Sequence, residues 1–146
     1  MKHIYIILFL FFIIQNIHSQ GNLPPGTYTS VNKKAIKYFE EGKKNYGAHQ
    51  DEDAEKFLNK CLQEDPNFIE AHSALAYLLM EKRRTKEAIS HFQKAIEINP
   101  KFFPRNYFDL GLALLLSADY SGAQANLETY LKFERINPNT KEQAEQ

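Results

Sequence analysis

The stretch that decides the fold is residues 69–102, which read IEAHSALAYLLMEKRRTKEAISHFQKAIEINPKF. In its first half Leu75 and Leu79 recur at helical spacing, and in its second half Ala88 and Phe92 do the same. A charged run separates the two halves, and a proline that cannot continue a helix closes the second. The pattern therefore predicts two helices joined by a short turn.

Small residues and prolines repeat along the chain with one period. Spacings of 34 and then 35 residues separate Gly42, Ala76 and Gly111, and the same spacings separate Ala54, Ala88 and Ala123, while Pro66 and Pro100 lie 34 apart. Independent series that share one period predict a repeated supersecondary unit. We therefore expect an all-α domain over residues 31–137, made of three hairpins at about 35–68, 69–102 and 103–137.

The middle unit carries the clearest family resemblance. It reads His72-x2-Leu75-Ala76-x2-Leu79, then Ala88-x3-Phe92, then Ala95 and Pro100, and the last unit repeats the first part as Tyr107-x2-Leu110-Gly111-x2-Leu114. These residues resemble the tetratricopeptide repeat, whose period is 34 residues. The resemblance implies three antiparallel helical hairpins stacked as a solenoid.

The first unit fits the pattern less well, because Glu41 and Asn45 stand where apolar residues are expected. A one-residue shift that makes Phe39 and Tyr46 the packing pair repairs it. We therefore expect a shortened turn between the two helices of this unit. Ser30 is the expected N-cap at the start of the helical region.

The segments that flank the repeats have different roles. Residues 1–19 combine a short basic start with an apolar run from Ile4 to Ile14, which predicts a signal peptide cleaved after Ser19. An uncleaved anchor and an ordinary buried segment are the alternatives. Residues 20–30 are predicted to form an extended leader. Residues 138–146 read as the start of a truncated C-terminal helix, typical of a fragment or a boundary with a further domain.

Composition and motifs narrow the function classes. Eighteen basic residues balance eighteen acidic ones, which argues against charge-driven nucleic-acid binding. The single cysteine, Cys61, cannot form an internal disulfide or a Cys-only zinc site, and it is expected to be a small buried residue rather than a reactive thiol. His49, His72 and His91 form no metal motif, and the cations at 82–84 are expected to be a solvated helix end rather than a phosphate site. We therefore predict no enzyme, no catalytic residues, no metal and no cofactor.

The candidate binding residues lie on the first helix of each hairpin, which lines the concave face in repeat solenoids. By resemblance to the family they are Phe39, Lys43, Tyr46, Glu70, Ser73, Tyr77, Met80, Arg105, Phe108, Leu112 and Leu115. The tetratricopeptide subclass that clamps a chaperone's C-terminal carboxylate uses a Lys/Asn/Arg set on this face. Here Phe39, Lys43, Ala74, Arg105 and Asp109 occupy the comparable places, so carboxylate capture is not inferred.

The expected function follows from this face and from the predicted signal. We expect an exported protein-protein interaction scaffold of the bacterial cell envelope, periplasmic or associated with the outer membrane, that binds a protein or peptide and no nucleic acid. Residues 20–146 are similar to the N-terminal repeat region of Bacteroidetes OmpA-like outer-membrane-associated proteins. Membrane association would be indirect, and exposed leucines around Leu112 make self-association possible. The alternative is a structural spacer or an N-terminal fragment whose groove its own chain fills.

Overall fold

The computed structural model describes residues 28–136, and within this range all regular structure is helical. The six helices are α1 (Lys33–Gly47), α2 (Asp51–Glu64), α3 (Ile69–Glu81), α4 (Thr85–Ile98), α5 (Arg105–Leu116) and α6 (Tyr120–Ile136). The all-α prediction is therefore confirmed. The predicted signal peptide, the first part of the leader and residues 138–146 lie outside the described residues. In the part that is described, no helix is both long and apolar enough to cross a membrane.

The helices pair as three antiparallel hairpins, α1 with α2, α3 with α4 and α5 with α6. The second helix of one hairpin packs on the first helix of the next, which joins the hairpins in a row. One core runs through them, with Leu58, Phe68, Leu75 and Phe92 each almost completely buried. Each such side chain contributes about 1.5–3 kcal/mol by leaving water.

A small residue of each first helix faces a large residue of its partner helix. A Cβ atom at Gly42 would lie 3.0 Å from Leu58 Cγ, and one at Gly111 would lie 2.8 Å from Leu127 Cγ. In the middle hairpin Ala76 occupies the equivalent position, and Phe92 takes the place of the leucine. The backbones can approach closely because these positions carry little or no side chain.

The turns inside the three hairpins have the same length, which corrects the expectation of a shortened first turn. They span residues 48–50, 82–84 and 117–119, and the middle residues are His49 (φ 58°), Arg83 (φ 59°) and Ala118 (φ 61°). Each of these non-glycine residues adopts the left-handed conformation that lets the chain reverse between two helices. The first hairpin therefore follows the same frame as the other two.

The start of the first hairpin differs from the sequence prediction in its cap and its packing pair. Asn32, not Ser30, is the N-cap of α1, since its Oδ1 accepts from the backbone N–H groups of Lys34 (3.0 Å) and Ala35 (3.2 Å). Its Nδ2 also donates to the carbonyl at the end of α2. Phe39 is buried as expected, but Tyr46 is 41% exposed and forms no part of the core.

Candidate functional site

The eleven residues singled out as a binding groove all lie on α1, α3 and α5, and we call this the first-helix face. Phe39, Glu70 and Ser73 are buried there, with 5%, 5% and 7% of their surface exposed, so a partner reaches these three only if the residues that cover them move. The remaining eight are partly or largely exposed, namely Lys43, Tyr46, Tyr77, Met80, Arg105, Phe108, Leu112 and Leu115. The part of the face that is accessible to a partner therefore lies mainly between Tyr46 and Leu115.

The N-terminal part of this face is covered by residues 28–30, which we call the leader segment. The ring of Tyr28 makes an edge contact with Phe39 at 5.2 Å between centroids and a tilted contact with Phe68 at 5.7 Å. Its hydroxyl donates to Glu40 and accepts from Lys43 Nζ at 3.2 Å. The ammonium group of Lys43 also lies 5.6 Å from the Tyr28 ring centroid, within range of a cation–π contact.

Thr29 joins the leader segment to the start of α3. Its backbone N–H donates to Glu70 Oε1 at 2.9 Å, and its hydroxyl donates to the other carboxylate oxygen. The same hydroxyl accepts from the backbone N–H of Ile69 at 3.2 Å. Phe68, the N-cap of α3, has no capping side chain, so Thr29 satisfies an N–H group that the helix leaves free.

Sequence reasoning missed this contact because Tyr28 and Thr29 belong to a segment without periodicity. Glu70, which accepts the hydrogen bonds of Thr29, is 41 positions further along the chain, so no local pattern connects the two residues. The one available signal was Glu70, an acidic residue at the first turn of a helix on the predicted groove. Residues 28–30 of the predicted leader lie outside the helices, and the sequence analysis assigned them no partner.

Tyr77, Arg105, Phe108 and Asp109 form a second group on the face, which we call the Arg105 cluster. Tyr77 OH donates to Asp109, and Arg105 Nε donates to Asp109 Oδ1 at 3.2 Å. The guanidinium carbon of Arg105 lies 4.7 Å from the ring centroid of Phe108. Burial raises the pKa of both Asp109 and Tyr77. At Asp109 the hydrogen bond from Tyr77 and the charge of Arg105 oppose this rise, because both stabilise the charged carboxylate. A partly exposed cation is thus fixed beside an aromatic ring.

Two further hydrogen bonds connect neighbouring first helices. Ser73 Oγ donates to Asn106 Oδ1 at 3.0 Å, between two buried side chains of α3 and α5. Tyr46 OH donates to Glu81 Oε1 at 2.8 Å, between α1 and α3, and burial together with this bond raises the pKa of Tyr46 to about 12. These bonds hold the three helices of the face in register.

The last hairpin exposes a row of leucines. Leu112, Leu115, Leu116 and Leu131 are 40%, 42%, 72% and 50% exposed. In the middle hairpin Tyr77 stands where Leu112 stands in the third, and contact with Asp109 of the next hairpin helps to cover it. Among the described residues no fourth hairpin covers the leucines.

The remaining candidate chemical groups have structural explanations. Cys61 is buried, and burial raises the pKa of its thiol to about 12, which confirms its prediction as an inert small residue. Lys82 and Arg84 form ion pairs with Glu55, so these cations are neutralised by the chain itself. Burial would raise the pKa of Glu55, but the hydrogen bonds from the two cations lower it.

The structure brings His72 and His91 together, which their sequence positions did not indicate. Their Nδ1 atoms lie 2.9 Å apart, and His72 Nε2 lies 2.9 Å from the carbonyl oxygen of Pro66. The carbonyl requires a proton on His72 Nε2, so when His72 is neutral its Nδ1 is an acceptor and His91 Nδ1 is the donor. Within residues 28–136 no three His, Cys, Asp or Glu side chains gather where they could hold a metal ion.

Comparisons with known proteins agree with this architecture. The tetratricopeptide-repeat family profile matches residues 69–102. No curated protein sequence matches the chain. The solved structure of MamA is 22% identical with a TM-score of 0.67, and the match covers 72% of this chain and 61% of MamA. The chain thus matches less than two thirds of MamA's length.

Two similar solved structures are complexes. The first TPR domain of Spaghetti (RPAP3) bound to the HSP90 peptide SRMEEVD is 20% identical with a TM-score of 0.68, covering 77% of this chain and 88% of that one. The TPR2B domain of yeast Sti1 in a pHsp70 complex is 25% identical with a TM-score of 0.67, covering 77% and 89%. The chain therefore contains a tetratricopeptide repeat at residues 69–102, and its six described helices have the tetratricopeptide-repeat fold.

Proposed function

We propose that the chain is a non-catalytic protein-interaction scaffold that binds an extended peptide on its first-helix face. The observation that carries this proposal is the Arg105 cluster. Asp109 fixes the guanidinium of Arg105 beside the ring of Phe108, and the exposed side chains of Leu112 and Leu115 follow on the same helix. A guanidinium held in place by Asp109, an aromatic ring and apolar side chains in one row suit a largely apolar peptide that offers a hydrogen-bond acceptor to the guanidinium.

The similar structures support a peptide as the class of ligand. The RPAP3 domain is bound to an HSP90 peptide, and the Sti1 domain is in a pHsp70 complex. In this chain Arg105 already has a carboxylate partner in Asp109, so the site does not require a ligand carboxylate to balance its charge. We therefore propose a protein or peptide partner without nucleic acid, metal or cofactor.

A peptide-library selection on the purified, processed protein tests this proposal. Selected peptides should bind at least tenfold more weakly to Arg105→Ala and to Phe108→Ala, because central aromatic and arginine residues dominate peptide interfaces. Lys94→Ala is the matched control, since Lys94 lies on α4 and pairs only locally with Glu97. Peptides that bind all four proteins equally, or a selection that enriches none, would contradict the proposed face.

We also propose that the chain is exported to the bacterial cell envelope, to the periplasm or the outer membrane. The basic start and the apolar run before Ser19 support a cleaved signal peptide. The resemblance to the N-terminal region of Bacteroidetes OmpA-like proteins supports the same location. N-terminal sequencing of the protein from its native cells should begin at or near Gln20. An intact Met1 in the soluble cytoplasmic fraction would rule this proposal out.

A structural spacer within a larger envelope protein is the second candidate. It is favoured by the leader segment, which already covers part of the first-helix face through Tyr28 and Thr29. A spacer does not need an accessible groove, so library selection should then enrich no peptide that depends on Arg105. The same selection therefore separates the two functions.

A further inference from the structure

The leader segment contacts the first-helix face in the way a bound peptide would. Tyr28 and Thr29 lie outside the helices, and they contact side chains of α1 and α3. We propose that the surface beneath them is a peptide-recognition subsite for an aromatic residue followed by threonine or serine. We call it the leader pocket, formed by Phe39, Glu40, Lys43, Phe68 and Glu70. The proposal rests on the proposed function, since the pocket belongs to the same face.

The first half of the leader pocket selects an aromatic side chain with a hydroxyl. Phe39 and Phe68 contact the ring of Tyr28, and Phe39 and Phe68 also contact each other at 4.9 Å. Lys43 lies near the ring and donates to the hydroxyl, which in turn donates to Glu40. Phenylalanine would keep the ring contacts and lose both hydroxyl bonds, so tyrosine is the preferred residue.

The second half of the pocket selects a residue with a hydroxyl and a free backbone N–H. Glu70 is only 5% exposed, and its two carboxylate oxygens accept from the N–H and the hydroxyl of Thr29. The hydroxyl also accepts from Ile69 N–H. Serine can make the same three bonds and valine can make only the first. Charge-assisted bonds to a buried carboxylate are among the stronger hydrogen bonds, so this half gives the pocket its specificity.

The leader segment competes with any partner for this pocket. It is joined to α1 through a few residues, so its local concentration at the pocket is high, on the order of millimolar or above. A segment of the same chemistry from another protein can enter only when the leader leaves. The Tyr28–Thr29 pair thus shields the N-terminal part of the first-helix face and limits partner binding there.

A binding experiment with the leader sequence as a separate peptide tests this inference. The probe is the synthetic peptide NLPPGTYTSV, residues 22–31, carrying a fluorophore, and the readout is fluorescence anisotropy. The protein is the full chain, either unchanged or with Tyr28→Ala and Thr29→Val to release its own leader. We expect the released variant to bind the peptide at least tenfold more tightly than the unchanged protein.

Four controls make the result specific to the pocket. Adding Glu70→Gln to the released variant should weaken peptide binding at least tenfold, because it removes the charge that both Thr29 bonds use. A peptide with valine in place of Thr29 should bind as weakly, whereas a peptide with serine at that position should still bind. Val31→Ala, which changes a residue of the same region that is 93% exposed, should behave like the unchanged protein.

The possible failures have different meanings. A released variant that keeps its helical circular dichroism and binds no peptide up to about 1 mM would overturn the inference and make the leader a fixed part of the fold. Equal binding to the unchanged and released proteins would also overturn it, since the peptide would then bind elsewhere. If the double variant does not fold, Thr29→Val alone serves the same comparison. If a folded released variant binds no leader peptide while library peptides still depend on Arg105, the proposed function stands and the leader pocket fails.

Discussion

The close approach between α5 and α6 gives a quantitative test of the packing. Gly111→Ala adds a methyl group that would lie 2.8 Å from Leu127 Cγ and 2.9 Å from Leu127 Cδ2. Favourable carbon contacts lie at about 3.5–4.0 Å, so the leucine must change rotamer or the helices must move apart. Because Cγ is the branch point of the side chain, rotation of the terminal methyl groups alone cannot relieve the contact.

Two opposing effects set the size of the change. Alanine in place of glycine inside a helix gains about 1 kcal/mol of intrinsic helix stability. Overpacking a well-packed contact costs about 1–3 kcal/mol. We therefore expect Gly111→Ala to lower the free energy of unfolding by about 1 kcal/mol. A second change, Leu127→Phe, reproduces the alanine–phenylalanine pair of the middle hairpin, Ala76 with Phe92, and should recover most of that loss.

Urea unfolding, monitored by circular dichroism at 222 nm, gives the free energy of unfolding of the unchanged protein, the two single variants and the double variant. These four values complete a double-mutant cycle. A coupling of at least about 0.5 kcal/mol between positions 111 and 127 is expected for residues in direct contact. Gly47→Ala is the matched control, because a Cβ there meets nothing within 4 Å and should leave stability unchanged or slightly raise it. If Gly111→Ala stabilises the protein as much as Gly47→Ala does, the close approach does not limit packing and the reasoning is wrong.

Further predictions concern the core, the histidine pair and the exposed leucines. Ala88→Trp should destabilise the domain by several kcal/mol in thermal unfolding, because Ala88 is fully buried at a helix contact; an unchanged midpoint would contradict the observed packing. Burial lowers the pKa of both His72 and His91 below the ordinary 6.5, so the unfolded chain binds more protons and stability should fall as the pH drops below about 6.5. Changing the pair to tyrosine and phenylalanine, as at the equivalent positions of the first hairpin, should flatten the pH dependence of urea unfolding in this range, and a slope that persists would assign it to other groups. Leu112→Glu with Leu115→Glu should reduce self-association and binding of a hydrophobic dye without loss of helicity, since both side chains are at least 40% exposed; sedimentation of the unchanged protein as a dye-silent monomer would contradict this.

The fold could be predicted because its determinants repeat. A single hairpin pattern is ambiguous, but small residues at Gly42, Ala76 and Gly111 in one frame leave few alternatives to stacked hairpins. The structure also places both prolines, Pro66 and Pro100, two residues beyond the ends of α2 and α4, where a proline ends a hairpin.

The errors in the first hairpin arose where local preference competed with tertiary contacts. Glu41 and Asn45 looked misplaced because apolar residues fill the equivalent positions elsewhere. The structure keeps the common frame, since Asn45 donates to the carbonyl of Glu41 and Phe39 fills the space toward Phe68. Ser30 and Asn32 are both good capping residues, and propensity alone does not choose between them.

The binding face was predictable only as a set of helix positions. Periodicity assigns a residue to a face but does not report which neighbours cover it, so the side chains that cover Phe39 and Ser73 could not be read from the sequence. Tyr28, from an aperiodic segment, covers Phe39. Asn106, from the next hairpin, covers Ser73. The pairing of His72 with His91 is likewise a product of how α3 and α4 pack.

The ion pairs around Glu55 affect the order in which the hairpins open. In a linear array each hairpin is stabilised by its own contacts and by those with its neighbours. At the boundary between the first two hairpins, Glu55 forms ion pairs with Lys82 and Arg84. Hydrogen bonds join Tyr46 to Glu81 and Thr29 to Glu70 at the same boundary. The third hairpin has one described neighbour and an exposed leucine row. The second boundary is joined by the Tyr77–Asp109 and Ser73–Asn106 bonds. We expect local opening to start in α5 and α6, so that their amide hydrogens exchange first, while the first two hairpins open together as one cooperative unit.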